Sequence, residues 1–174
     1  MSKMKPQDIV ILVKLLLQKE DKSWTYQSLA SQLNMSSSTI HASLERSHKV
    51  NLYSKWRKEV FVSPFLEFLF HGLKYVFPAE IGEKVKGIPT AHSAKPLADF
   101  IITSKENYVW KTEGAEQEIV GYEVSPLYKN LPNIVKNDIN LYEAFALIDA
   151  LRVGKAREKN FAQEELTKRL KNGK

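Results

Sequence analysis

The sequence predicts an α+β protein, mainly α, in which three short helices and a hairpin precede a mixed α/β C-terminal module ending in two helices. Three observations predict it. Apolar residues recur at helical spacing near the N-terminus and again beyond residue 139, and short β-branched and aromatic runs flank polar turns after residues 51 and 107. The balance of 43% hydrophobic to 26% charged residues is that of a chain that folds around its own core.

The first helix is expected from Gln7 to about Glu20, with Pro6 suited to its first turn and Ile9, Leu12, Val13, Leu16 and Leu17 forming a broad apolar face. Thr25 can cap a second helix, Tyr26 to Leu33, and Ser36 a third, running to about Arg46. Leu52-Tyr53-Ser54 and Val60-Phe61-Val62 read as two short strands around the polar Lys55-Trp56-Arg57-Lys58, a hairpin over 53–60. Ser63-Pro64 is a cap-plus-proline start for a heavily apolar helix to Phe77, expected to be buried on more than one face. Segment 78–96 has little periodicity and reads as a connection. Domains are accordingly expected over 1–63 and 64–174. Tyr108-Val109-Trp110 and 119–124 read as hairpin strands around Thr112 to Glu118, and Leu131-Pro132 opens a turn or short helix. Asn140 to Val153 is helical, with Gly154 placed for a left-handed cap, and Ala156 to Lys171 forms a charged last helix striped by Phe161, Leu166 and Leu170.

Three helices followed by a hairpin make a winged helix, and Tyr26 to Glu45 carries a helix-turn-helix pattern. Ala30 is small where the two helices cross, and Leu29, Leu33, Met35, Ile40 and Leu44 are the apolar residues that lock the crossing. Asn34 takes the turn position where glycine is usual, which asparagine tolerates because it accepts a positive φ. Ser43 is small where the third helix meets the first. The outward residues of the recognition helix, 36–46, are then Ser36, Ser37, Ser38, Thr39, His41, Ala42 and Glu45, with His41 the best placed for a base contact. Arg46, His48 and Lys49 add charge at its end, and Lys55, Trp56, Arg57 and Lys58 form a basic wing tip for the DNA backbone or minor groove.

This pattern resembles the MarR-like class of bacterial winged-helix regulators over residues 7–62: Leu29-Ala30, an eight-residue step, the Ser36-Ser38-Thr39-Ile40 cluster, and Asn51-Leu52 at the first wing strand. The resemblance implies sequence-specific binding to double-stranded DNA, usually as a homodimer. The C-terminal module would then supply dimerisation and a site for a small-molecule effector or a protein partner. Leu141 to Leu170 is faintly similar to the C-terminal region of antitoxin-type regulators, so an autoregulating antitoxin of a toxin-antitoxin operon is an alternative. A winged-helix protein-interaction module without DNA binding is another.

Charge agrees with a local polyanion-binding face. Net charge is +6, and residues 1–62 hold ten Lys/Arg against five Asp/Glu, whereas the other 112 residues hold sixteen against fifteen. The chain has no Cys, which removes disulfides and thiolate metal sites and fits a cytoplasmic location. Lys14 interrupts the early apolar run, so neither a signal peptide nor a membrane span is expected. His41, His48, His71 and His92 lack metal-ligand spacing, Gly82 and Gly87 are isolated rather than part of a phosphate loop, and Thr90-Ala91-His92-Ser93 with Asp99 lacks a nucleophile-elbow motif. Asp138, Glu143 and Asp149 read as capping and helix-surface groups. No enzyme, metal or cofactor is expected.

Overall fold

Helix α1 (Pro6–Leu17) lies at the centre of the molecule. Ile9 through Val13, Leu15 and Leu16 are all buried, because α3 (Ser37–Lys49) covers one side of α1 while α8 (Ile139–Val153) and α9 (Ala156–Asn172) cover another. A helix apolar around most of its circumference needs such cover on several sides. The computed structural model describes residues 3–101 and 106–173; Met1, Ser2 and Lys174, at the outer ends of the two expected domains, and residues 102–105 lie outside it. The chain is α+β and mainly helical, and one cluster of buried side chains runs from Ile9 to Leu170 across the expected boundary at 63/64.

Helix α2 (Tyr26–Gln32) starts from a reciprocal cap, in which Thr25 Oγ1 accepts from Ser28 N–H at 3.0 Å and Ser28 Oγ accepts from Thr25 N–H at 2.8 Å. After α3 come the two-residue strands β1 (Tyr53–Ser54) and β2 (Glu59–Val60), paired antiparallel. The apolar segment that follows forms α4 (Val62–Glu67), a π-helical turn over Phe68–Gly72, and α5 (Leu73–Val76). It starts two residues earlier than Ser63-Pro64 suggests: Phe61 is the N-cap, and Ser63 already lies inside the helix. Its burial is also one-sided, since Phe65, Leu66, Leu69 and Leu73 are buried while Tyr75 and Val76 are exposed.

Where a connection was expected over 78–96, the chain forms the nine-residue strand β3 (Ile81–Pro89) and a 3-10 turn at Ala91–Ser93, and the short α6 (Leu97–Phe100) follows. The strands β4 (Tyr108–Lys111) and β5 (Ile119–Val124) do not form the expected hairpin. Both run antiparallel to β3 and parallel to one another, Tyr108 opposite Tyr122, so the three strands close on themselves. β3 is long enough to serve both partners and hands over at Gly87, which faces Ile119 on β5 and Lys111 on β4. A Cβ at Gly87 would stand 1.9 Å from the Trp110 carbonyl oxygen, so only glycine allows this approach.

The short α7 (Leu131–Ile134) leads into α8, whose N-cap Asp138 accepts from Leu141 N–H at 3.0 Å and pairs with Lys14 of α1 at 2.7 Å. Glu143 pairs with Arg169 of α9 at 2.8 Å. Asp149, expected on the surface, is instead fully buried at the junction of α8 with the strands. Its carboxylate accepts from Thr90 Oγ1 at 2.8 Å, Trp110 Nε1 at 2.6 Å and Arg152 Nη1 at 2.8 Å. Arg152 in turn donates to the carbonyls of Phe77, Pro78 and Ser125, tying the end of α5 and the exit of β5 to α8. Gly154 does not adopt a left-handed cap; its φ is −72°, and it is small because a Cβ would meet Ala150 O at 2.4 Å and Glu158 Oε2 at 2.9 Å where α8 turns into α9.

Candidate functional site

The exposed face of α3 and the tip of the β1/β2 hairpin are the two surfaces that the sequence singled out. Between α2 and α3 the chain turns at Asn34, whose φ is +48°, and Met35 N–H returns to Ala30 O at 2.9 Å. Ser36 then caps α3, its Oγ accepting from Thr39 N–H at 3.1 Å and lying 2.9 Å from Ser38 Oγ and 2.8 Å from Thr39 Oγ1. Ser36, Ser37, Ser38, His41, Ala42 and Lys49 are exposed and Thr39 and Glu45 half-buried, so these residues make one stripe along the helix. Leu29, Leu33, Ile40 and Leu44 hold the opposite side in the core, and Ala30 is buried at the crossing. α3 continues to Lys49, three residues past the expected end.

Arg46 departs from expectation. It is buried against α1, donating from Nε to Asp8 Oδ2 at 2.9 Å and from Nη2 to Asp8 Oδ1 at 2.6 Å. Ser43 Oγ donates to the same carboxylate, and Lys5 N–H completes it at 2.9 Å. The Asp8 hydrogen bonds push the Arg46 guanidinium further above its ordinary range, keeping it charged. A guanidinium spent on a buried carboxylate is not a surface cation, so Arg46 leaves the candidate interface and belongs to the joint between α1 and α3.

The hairpin tip is braced against α3. Lys55 pairs with Glu45 at 3.5 Å, and His48 Nδ1–H donates to the Tyr53 carbonyl at 3.1 Å while its ring stands perpendicular to Trp56 at 6.3 Å. Ser54 Oγ accepts from Arg57 N–H at 3.3 Å, and Lys58 turns the chain with a φ of +53°. Trp56 is 81% exposed, with Lys55 Nζ 5.0 Å over its ring. Arg57 and Lys49 are exposed and make no ion pair among the described residues. Burial pushes the Tyr53 hydroxyl, beneath the hairpin, up to about 12.

Two aromatic residues beside this surface, buried Trp24 and exposed Tyr26, escaped the sequence reading. Lys58 Nζ lies 5.6 Å over the ring of Trp24, Trp24 meets Tyr26 edge-on at 6.0 Å, and Tyr26 sits 5.6 Å from His41. An aromatic row thus links the hairpin to the middle of α3. The signal was present as two aromatics on either side of the cap residue Thr25, but nothing in the spacing said which way they face.

Other groups considered for chemistry are engaged separately. Thr90 is bonded to Asp149, His92 Nε2 donates to the Glu106 carbonyl at 2.8 Å, Ser93 Oγ accepts from Tyr108 N–H at 2.8 Å, and Asp99 pairs with Lys95 at 3.7 Å on the surface. Among the described residues no group of three or more His, Asp or Glu side chains is placed to hold a metal ion, and no helix is long and apolar enough to cross a membrane. In the C-terminal part, an open groove of about 510 Å³ lies between the 112–117 turn, Pro89 and the start of α8, with Val135, Lys136, Ile139 and Tyr142 along it. Comparison with protein-family models, with curated proteins and with solved structures gave no match.

Proposed function

We propose that the chain is a sequence-specific DNA-binding regulator whose first 63 residues act as a winged helix-turn-helix. α3 enters the major groove, and the wing tip lies on the adjoining backbone. The observation that carries this reading is the bracing of the two surfaces on each other: Glu45–Lys55 and His48–Trp56 hold the basic tip beside the polar stripe of α3, so both can meet one duplex together. On this reading the hydroxyls of Ser36 to Thr39 and the backbone N–H groups of Ser37 and Ser38 meet phosphate or the groove floor. His41 and Glu45 face base edges, while Lys49, Arg57 and Lys58 neutralise phosphates. A homodimer would place two such helices on a near-palindromic site. The C-terminal groove is of a size that takes a small effector.

The test is binding to the DNA upstream of the chain's own coding sequence and to unrelated duplex, over a salt series. Ser37→Ala/His41→Ala should lose preference between the two DNAs. Lys55→Ala/Arg57→Ala/Lys58→Ala should weaken binding to both and lower the slope of log affinity against log salt by up to about 3. Binding of neither DNA at low salt by the wild type would sink the reading in favour of protein contacts at the same surface.

A further inference from the structure

Trp56 is the most exposed of the large apolar side chains described. His48 and Lys55 support the ring at 6.3 and 5.0 Å, Ser54 and the left-handed Lys58 fix the turn that carries it, and most of the indole remains open to solvent. Lys55 brings its ammonium over the ring, the exposed Arg57 follows Trp56 directly in the chain, and Lys58 stands one residue further on with its ammonium over Trp24. A flat apolar ring set among cations matches a ligand that offers a flat π face beside negative charge, which is the chemistry of a nucleotide within a strand. A base is covered by its neighbours in regular duplex, so it meets an indole only where a step is kinked or a base unpaired.

Resting on the DNA-binding reading, we infer that Trp56 is a specificity-determining residue that stacks on a nucleobase at a distorted or unpaired step beside the α3 contact. The protein therefore selects DNA that opens readily at that step over DNA that is uniformly stacked.

The three tryptophans make this measurable in the full chain. Trp24 is 8% exposed and Trp110 is 0%, so the difference in emission between wild type and Trp56→Phe isolates Trp56. Binding of end-labelled upstream duplex is followed by anisotropy together with tryptophan emission, using fully paired DNA and a series with one unpaired base at successive positions. The expected result is quenching of the Trp56 component on binding, and one position at which the unpaired base tightens binding by about tenfold. Trp56→Ala should bind that duplex roughly five- to hundredfold more weakly and lose the preference, while Trp56→Phe keeps part of it. DNA bound with no change in Trp56 emission, or an unaltered preference in Trp56→Ala, overturns the stacking role and leaves the DNA reading standing. A wild type that binds none of the duplexes overturns both.

Discussion

Arg46 on α3 grips Asp8 on α1 through two parallel N–H donors, at 2.9 and 2.6 Å, with Ser43 and the Lys5 amide closing the remaining sides of the carboxylate. The pair is nearly sealed from water, and it fixes how α3 lies on the central helix. Any ligand read by the outer face of α3 is therefore read by a helix whose inner face is clamped.

Removing one partner strands the other in the core. Arg46→Ala should destabilise the fold by about 3–5 kcal/mol, measured by urea denaturation, because the Asp8 carboxylate would stay buried without its counter-charge. On the proposed DNA-binding reading, affinity should then fall only as far as the folded fraction falls. Full stability with lost affinity would return Arg46 to the binding surface.

The Asp149–Arg152 pair holds a second joint, between α8, the strands and the end of α5. Burial pushes the Asp149 carboxyl up, opposed by Arg152 and by the hydrogen bonds from Thr90, Arg152 and Trp110. Asp149→Ala should cost about 3–5 kcal/mol and alter the near-UV dichroism of Trp110, whose indole N–H loses its acceptor. An unchanged near-UV spectrum and an unchanged denaturation midpoint would show the joint to be dispensable.

Alkaline pH should loosen the fold through Tyr53 and Tyr142. Burial raises both hydroxyls to about 12, above the ordinary value of 10.0, and Tyr142 donates to the Pro89 carbonyl at 2.6 Å. Because the folded state holds these protons more tightly than the unfolded chain, their contribution is complete below pH 10 and is lost as pH rises toward 12. Absorbance at the phenolate band should show Tyr53 and Tyr142 titrating late, with Tyr108, also raised by burial, above the ordinary range, together with loss of helix dichroism. Titration of every tyrosine near 10 with helix content intact would contradict this.

Gly87→Ala should prevent stable closure of the three-stranded sheet, since the new methyl would collide with the Trp110 carbonyl. A loss of at least about 3 kcal/mol is expected, as for severe overpacking. Gly82→Ala is the control: its Cβ would meet nothing nearer than 3.5 Å, and a change within about 0.5 kcal/mol is expected from the same denaturation curves.

Local chemistry made much of the N-terminal part legible. The cap residues Thr25 and Ser36, the positive φ at Asn34, and the apolar spacing of Leu29, Leu33, Ile40 and Leu44 act within a few residues of one another, so their consequences are written in the order of the chain. The polar stripe of α3 follows from the same spacing. Arg46 could not be assigned that way, because a cation at a helix end looks the same whether it meets solvent or a carboxylate 38 residues away.

By itself the sequence determined the helices that carry their own caps and periodicity, the position of the polar hairpin tip, and the concentration of positive charge in the first third. Tertiary structure alone decided that α1 is covered on several sides, that β4 and β5 both pair with β3 and meet each other in parallel rather than as an antiparallel hairpin, and that Asp149 lies inside. The physical reason is the range of the forces. Caps and helical periodicity depend on neighbours three or four positions apart, whereas burial, strand partnership and the pairing of Asp8 with Arg46 depend on groups that only the finished fold brings together.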